Sequence, residues 1–222
     1  MVGIIDYGVG NLFSVCSSLR KIGEDACIVK TEDEIQGVDR IILPGVGAFG
    51  DAAQKLRASG LDKVLIKEAR GGKPLMGICL GMQLLFDKSH EYGEHDGLAL
   101  ICGDVIPLEG RIPPDLKIPH IGWNALKFVG SNPLFKYIND GDFVYFVHSY
   151  FATDCLSDTI ATAEYGIDDR SQHHIQRNSS VRFRILHLQD PPYVYAMHRI
   201  FQNPVQALWG CLNKRSSYHS LL

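Results

Sequence analysis

The sequence predicts an α/β protein built on a largely parallel, doubly wound sheet, and three observations carry that prediction. Apolar runs without alternation, Val2–Asp6, Arg40–Leu43 and Pro74–Ile78, are bounded by turn residues, as strands buried on both faces are. Helical patterns follow the strands, so strand and helix alternate through the first half of the chain. One strand passes straight into a helical pattern through Gly77-Ile78-Cys79-Leu80-Gly81, which has the form of a nucleophile elbow.

The elements follow in order. After Val2–Asp6 come Gly8 and Gly10, then Leu12, Val15, Leu19 and Ile22 at helical spacing, with Gly23 as a stop. The Gly8-Val9-Gly10 pair lacks the third glycine and the acidic residue of a dinucleotide fingerprint, so no cofactor is expected. Ala26–Val29 and Arg40–Leu43 are the next strands. The second runs into Pro44-Gly45-Val46-Gly47-Ala48-Phe49-Gly50, a loop whose amides can approach a ligand. With no Lys-Ser/Thr after it, a phosphate loop is disfavoured. Residues 51–69 read as helix, broken at Gly60. Beyond Asp87 the pattern shortens: Gly93–Gly97 reads as a polar loop, Val105–Pro107 and Leu126–Val129 as short strands, and Pro119–Asn124 as a loop between them. Phe143–Tyr150 and Thr159–Tyr165 read as strands from their β-branched and aromatic content.

An elbow needs these residue types. The turn strains one residue, and the positions two before and two after must be small enough for backbones to pass. Cys79 is then the nucleophile, the Leu80 amide points at a developing oxyanion, and the following helix favours the thiolate. A buried cysteine at an ordinary strand end is the alternative. Cys16, Cys27, Cys102, Cys155 and Cys211 are scattered without paired spacing and read as apolar fillers, and no metal site is expected. Trp123, between Gly122 and Asn124, either caps the core or anchors an interface. His148 alone reads as a structural histidine.

The 222 residues suffice for one large core, and 45% hydrophobic with 21% charged residues is ordinary for a globular chain. No run is long enough to span a membrane, and the strand that begins at Val2 leaves no room for a leader, so a cytoplasmic protein is expected. The net charge of −3 argues against nucleic acid as a partner.

Five segments in order, Asp6-Tyr7-Gly8-Val9-Gly10-Asn11, Leu43-Pro44-Gly45-Val46-Gly47, Gly77-Ile78-Cys79-Leu80-Gly81-Met82-Gln83, Pro119-His120-Ile121-Gly122-Trp123-Asn124 and Tyr145-Phe146-Val147-His148-Ser149-Tyr150, resemble the glutamine amidotransferase subunits of imidazole glycerol phosphate synthase. The resemblance implies a class I, triad-type glutaminase. Cys79 would attack the side-chain amide of glutamine, with the oxyanion held by the amides of Leu80 and Val46. Gly45, Gly47, Gln83, His148, Ser149 and Tyr150 would surround the substrate. It further implies a heterodimer with a (β/α)8-barrel cyclase subunit in histidine biosynthesis, with Asn11 and Trp123 towards that partner and ammonia passed between the two.

The resemblance covers residues 1–168 and divides the chain there into an amidotransferase domain and a tail, 169–222. Family members close the triad with a His-Pro-Glu run near the C-terminus, and the sequence contains none. Residues 1–168 hold 15 Lys and Arg against 23 Asp and Glu, whereas residues 169–222 hold 7 against 2 and a single glycine, Gly210. Such a break is what a shift of reading frame near codon 169 would leave; a divergent terminus is the other explanation. Within the tail, Val181–Leu186 is the best strand. His187 and His198, with Asp190 near the first, are the substitutes for the missing base, though either histidine could stand there by chance.

Overall fold

A computed structural model describes residues 1–165 and, as backbone strands, 181–187 and 194–197. The first half alternates as expected: β1 (Val2–Ile5), α1 (Leu12–Lys21), β2 (Ala26–Val29), α2 (Glu32–Gln36), β3 (Arg40–Gly45), α3 (Phe49–Ala58), α4 (Leu61–Arg70), β4 (Leu75–Cys79) and α5 (Leu80–Gln83). Shorter strands follow: β5 (Phe86–Ser89), β6 (His95–Asp96), β7 (Ile101–Pro107), β8 (His120–Ala125), β9 (Lys127–Phe128), β10 (Phe143–His148), β11 (Tyr150–Thr153) and β12 (Thr159–Tyr165). The last two described strands are β13 (Val181–His187) and β14 (Val194–Met197).

The main sheet runs β2-β1-β3-β4-β14-β13-β12-β9. Its β2, β1, β3, β4 and β14 strands are parallel, with β13, β12 and β9 added antiparallel. Side chains alternate between two buried faces. Ile5, Ile41, Leu43 and Leu75 pack with Phe49, Leu56 and Leu65 of α3 and α4. Val2, Ile4, Ile42 and Met76 pack with Cys16 and Leu19 of α1 on the other side. Helices therefore cover both faces, the doubly wound arrangement, and each large side chain brought inside contributes about 1.5–3 kcal/mol.

Several elements differ from the sequence reading. The 51–69 helix is two helices, α3 and α4, separated by Gly60 in the left-handed region at φ 74°. The pattern missed α2, although Thr31 and Glu34 form a capping box around its start. Thr31→Ala is expected to lower stability by about 1 kcal/mol, read as a shift of the urea midpoint at unchanged slope. The segment read as a loop at Pro119–Asn124 is largely strand: β8 pairs antiparallel with β10, Trp123 opposite Tyr145. Pro119 and Gly122 hid it, because neither residue signals a strand until its partner is known. Likewise the polar loop 93–97 contains β6, which pairs with β5 in a four-stranded sheet ordered β11-β7-β5-β6.

Candidate active site at the carboxyl edge of the sheet

Parallel strands bring their carboxyl ends to one edge, and the Gly45-Val46-Gly47 loop and the Cys79 turn meet there. Cys79 closes β4 with φ 57° and ψ −119°, the strained conformation that an elbow requires. Gly45, the last residue of β3, is in register with Cys79, so the Gly45-Val46-Gly47 loop leaves the sheet directly beside the sulfur.

Three glycines make that proximity possible. A Cβ on Gly77 would lie 2.5 Å from Cα of Met82. One on Gly45 would meet the amide nitrogen of Gly81, and one on Gly81 would meet the carbonyl oxygen of Leu43. The ends of β3 and β4 and the first turn of α5 thus pack backbone against backbone. The small residues expected at 77 and 81 have this cause, and Gly45 joins them.

The helix after the elbow is shorter than its apolar run suggested. α5 is one turn of four residues, and β5 begins at Phe86. A single turn carries little macrodipole, so the help expected for the thiolate reduces to the local amides of its first residues. Leu80 is buried, which turns its side chain into the core. Gln83 is buried one turn further on.

The residues of the glycine-rich loop differ among themselves. Pro44 and Gly45 are buried, whereas Val46 is 50% exposed. Gly47 has φ 91° and open space where a Cβ would stand. The base of the loop is therefore packed and its tip is not.

Residues 3–183 match the family described as glutamine amidotransferase class-I. The chain is 43% identical over 198 residues to imidazole glycerol phosphate synthase subunit HisH of Wolinella succinogenes, an alignment covering 84% of this chain and 97% of that one. Against the subunit of the same name from Caldanaerobacter subterraneus subsp. tengcongensis the identity is 47%, covering 76% and 81%. The chain belongs to the class-I glutamine amidotransferase family, among the HisH subunits. Among solved structures, PurLQS from Thermotoga maritima has the same fold, with TM-score 0.66 at 15% identity over 96% of this chain and 97% of that one.

In this amidotransferase the remaining candidates lie on other elements. His148 ends β10, and both its ring nitrogens are engaged: Nδ1 donates to the Tyr150 carbonyl at 2.9 Å, and Nε2 lies 3.0 Å from Nδ1 of His120. His120 Nε2 is 2.8 Å from Oδ1 of Asn124, whose Nδ2 donates to the Glu164 carbonyl at 2.7 Å. This chain of contacts ties β8, β10 and β12 together and fixes the backbone of Tyr150. Burial pushes the His120 imidazole down, against the Asn124 bond, which favours its charged form. Ser149 sits at the bend between β10 and β11, its carbonyl accepting from the Leu108 amide at 2.9 Å.

Glu91 escaped the sequence reading. Its Oε2 accepts from the Phe49 amide at 2.6 Å, where the glycine-rich loop enters α3. Burial first, then the Glu91 charge, push the Tyr150 phenol up. Nothing in the spacing of Ser89-His90-Glu91-Tyr92 signals this position, because the contact depends on how β5 leads back to the loop.

The two expected partner-facing residues are exposed. Asn11 also has a structural task, capping α1 through a bond from the Ser14 amide to its Oδ1 at 3.1 Å. Trp123 stands edge-on to Tyr145, with ring centroids 5.3 Å apart. Ile121 shares its face of β8 and is 58% exposed, and Phe13 on α1 is 82% exposed.

The strand expected at Val181–Leu186 is β13. His187 closes it opposite Tyr195, which is in register with Met76, three rows back from Cys79 and two strands away. That backbone position argues against His187 as the partner of Cys79. β14 runs parallel to β4 and ends at Met197, in register with Ile78. His198 and Asp190 lie outside the described residues. Among the described residues no cluster of His, Cys, Asp and Glu could hold a metal ion, and no helix is long and apolar enough to cross a membrane.

Proposed function

We propose that this chain is the glutaminase half of an imidazole glycerol phosphate synthase, and that it hydrolyses the side-chain amide of glutamine through Cys79. The observation that carries the reading is the register of Gly45 with Cys79, which sets the amides of a glycine-rich loop beside a cysteine held in an elbow.

The chemistry runs in two halves. Cys79 Sγ adds to the amide carbon, and the carbonyl oxygen becomes an oxyanion that accepts from the amides of Leu80 and Val46. Collapse breaks the carbon–nitrogen bond and expels ammonia, the departing nitrogen taking up the proton that the thiol gave up, and leaves a γ-glutamyl thioester. Water then cleaves the thioester to glutamate and restores the thiol. Gly45, Gly47, Gln83, His148, Ser149 and Tyr150 form the substrate surroundings; His148 acts by holding Tyr150 in place. Ammonia passes to a cyclase subunit with a (β/α)8-barrel fold, docked on the face that presents Asn11 and Trp123, in the histidine biosynthesis of the cytoplasm.

One sequence observation favours a second reading. The absence of a His-Pro-Glu run leaves Cys79 without the family's base, as in a chain that binds the cyclase but does not turn over. Mixing the full chain with the purified cyclase separates the two. The glutaminase reading predicts product formation from glutamine, with one glutamate released per product. Complex formation with product from added ammonia alone would establish the second reading instead.

A further inference from the structure

The β1–β3 ladder runs out at Ile4 opposite Ile42, two residues before Pro44. Past that point the contact between the two strands is made by a side chain. Tyr7, 6% exposed, donates its hydroxyl to the Pro44 carbonyl at 2.9 Å. The backbone around Tyr7 is built for this. Asp6 Oδ1 accepts from the Gly8 amide at 3.1 Å and Oδ2 pairs with Lys30 at 3.0 Å, a turn that sends Tyr7 inward. Gly10, at φ 113°, comes so close that a Cβ there would be 2.9 Å from Cβ of Pro44. On its other side the same segment is clamped, since Gly45 lies against the Gly81 amide.

The packed base and open tip of the glycine-rich loop follow from these contacts. We propose that Tyr7 is a positioning residue: its hydroxyl fixes the Pro44-Gly45 end of the loop, so that any turn of the peptide units is confined to Val46 and Gly47 beside Cys79. The proposal rests on the glutaminase reading for its chemical consequence, although the anchoring itself does not depend on it. Two further observations fit. The Tyr7 phenol is pushed up, by burial first and then by the charge of Cys79. The same short loop continues from Tyr7 to exposed Asn11 and into the first turn of α1 with exposed Phe13, so a partner resting there bears on a segment bonded to the oxyanion loop. A buried tyrosine in this position otherwise needs only its ring to fill the core, and that is the alternative to be tested.

Tyr7→Phe keeps the ring and removes the hydroxyl. In the full chain, backbone hydrogen exchange of residues 45–49 should quicken by about tenfold while that of residues 75–85 is unchanged. Capture of the glutamine analogue 6-diazo-5-oxo-norleucine, in which the Cys79 sulfur displaces dinitrogen, should slow by about tenfold because it uses the loop amides. Alkylation of Cys79 by iodoacetamide, which does not, should stay within about twofold. Unchanged exchange of residues 45–49 would overturn the proposal. So would an equal loss of both labelling reactions, which marks a disturbed elbow rather than a loosened loop. If the parent chain reacts with iodoacetamide but captures no analogue, the glutaminase reading fails, and the exchange result alone decides the part played by Tyr7.

Discussion

Cys79→Ala is expected to lower glutamate release from glutamine by on the order of 10⁴-fold or more, and to remove the covalent adduct with glutamine analogues altogether. The size of the loss follows from the chemistry. Without the sulfur no thioester can form, and only water activated by the loop amides remains to attack the amide. The fold should survive the change. Cys79 is half-buried, and an alanine there meets the same backbone strain at φ 57° without adding atoms. The thermal midpoint should therefore move by no more than about 4 °C, the equivalent of about 1 kcal/mol in a chain of this size. Loss of activity with a retained midpoint assigns the sulfur a chemical role. A large fall in the midpoint would point to a cysteine that serves packing.

Gly81→Ala is expected to have the largest effect on stability, about 3 kcal/mol or more, read as a fall of about 6–12 °C in the thermal midpoint. The added methyl has nowhere to go. It points at the carbonyl oxygen of Leu43, a backbone atom in the centre of the sheet, and the carbonyl carbons of Leu43 and Pro44 lie within 3 Å behind it. Relief requires α5 to lift from β3, which also draws the Leu80 amide away from Cys79. Gly47→Ala makes the control. Unlike Gly81 it has a positive φ, 91°, but open space surrounds the position, so its cost is the backbone strain alone, about 1–2 kcal/mol. A Gly81→Ala chain as stable as the Gly47→Ala chain would mean that the elbow is looser than its packing implies.

The parts of the site that the sequence made legible are those where chemistry demands a residue type at a fixed spacing. Gly77, Cys79 and Gly81 are of this kind, as are the glycines after β3, because a close backbone approach leaves a gap in side-chain size that can be read directly. The break at Gly60 was legible for a similar reason. Contacts between distant segments left no such trace. Tyr7 reads as one more apolar residue until Pro44 is seen against its hydroxyl, 37 positions along the chain. Glu91 reads as a surface acid until Phe49 presents its amide. β8 was hidden because a strand containing glycine and following proline is recognised only by its neighbour, here β10. The length of α5 misled in the opposite direction. An apolar run from Leu80 to Phe86 fits a helix and a helix followed by a strand equally well, and β5 takes up its end by pairing with β7. His187 shows the same limit in the tail: its place after a good strand was legible, whereas the direction of that strand relative to β4 was not.

The central claim is that Cys79, set in its elbow beside the Gly45-Val46-Gly47 loop, is a nucleophile for the glutamine side chain. Mass analysis of the full chain after exposure to 6-diazo-5-oxo-norleucine tests it most directly. The account predicts one adduct per chain, on the peptide containing Cys79, whose formation is slowed by added glutamine. An unmodified Cys79 peptide, or labelling of Cys79 that glutamine does not slow, would contradict it.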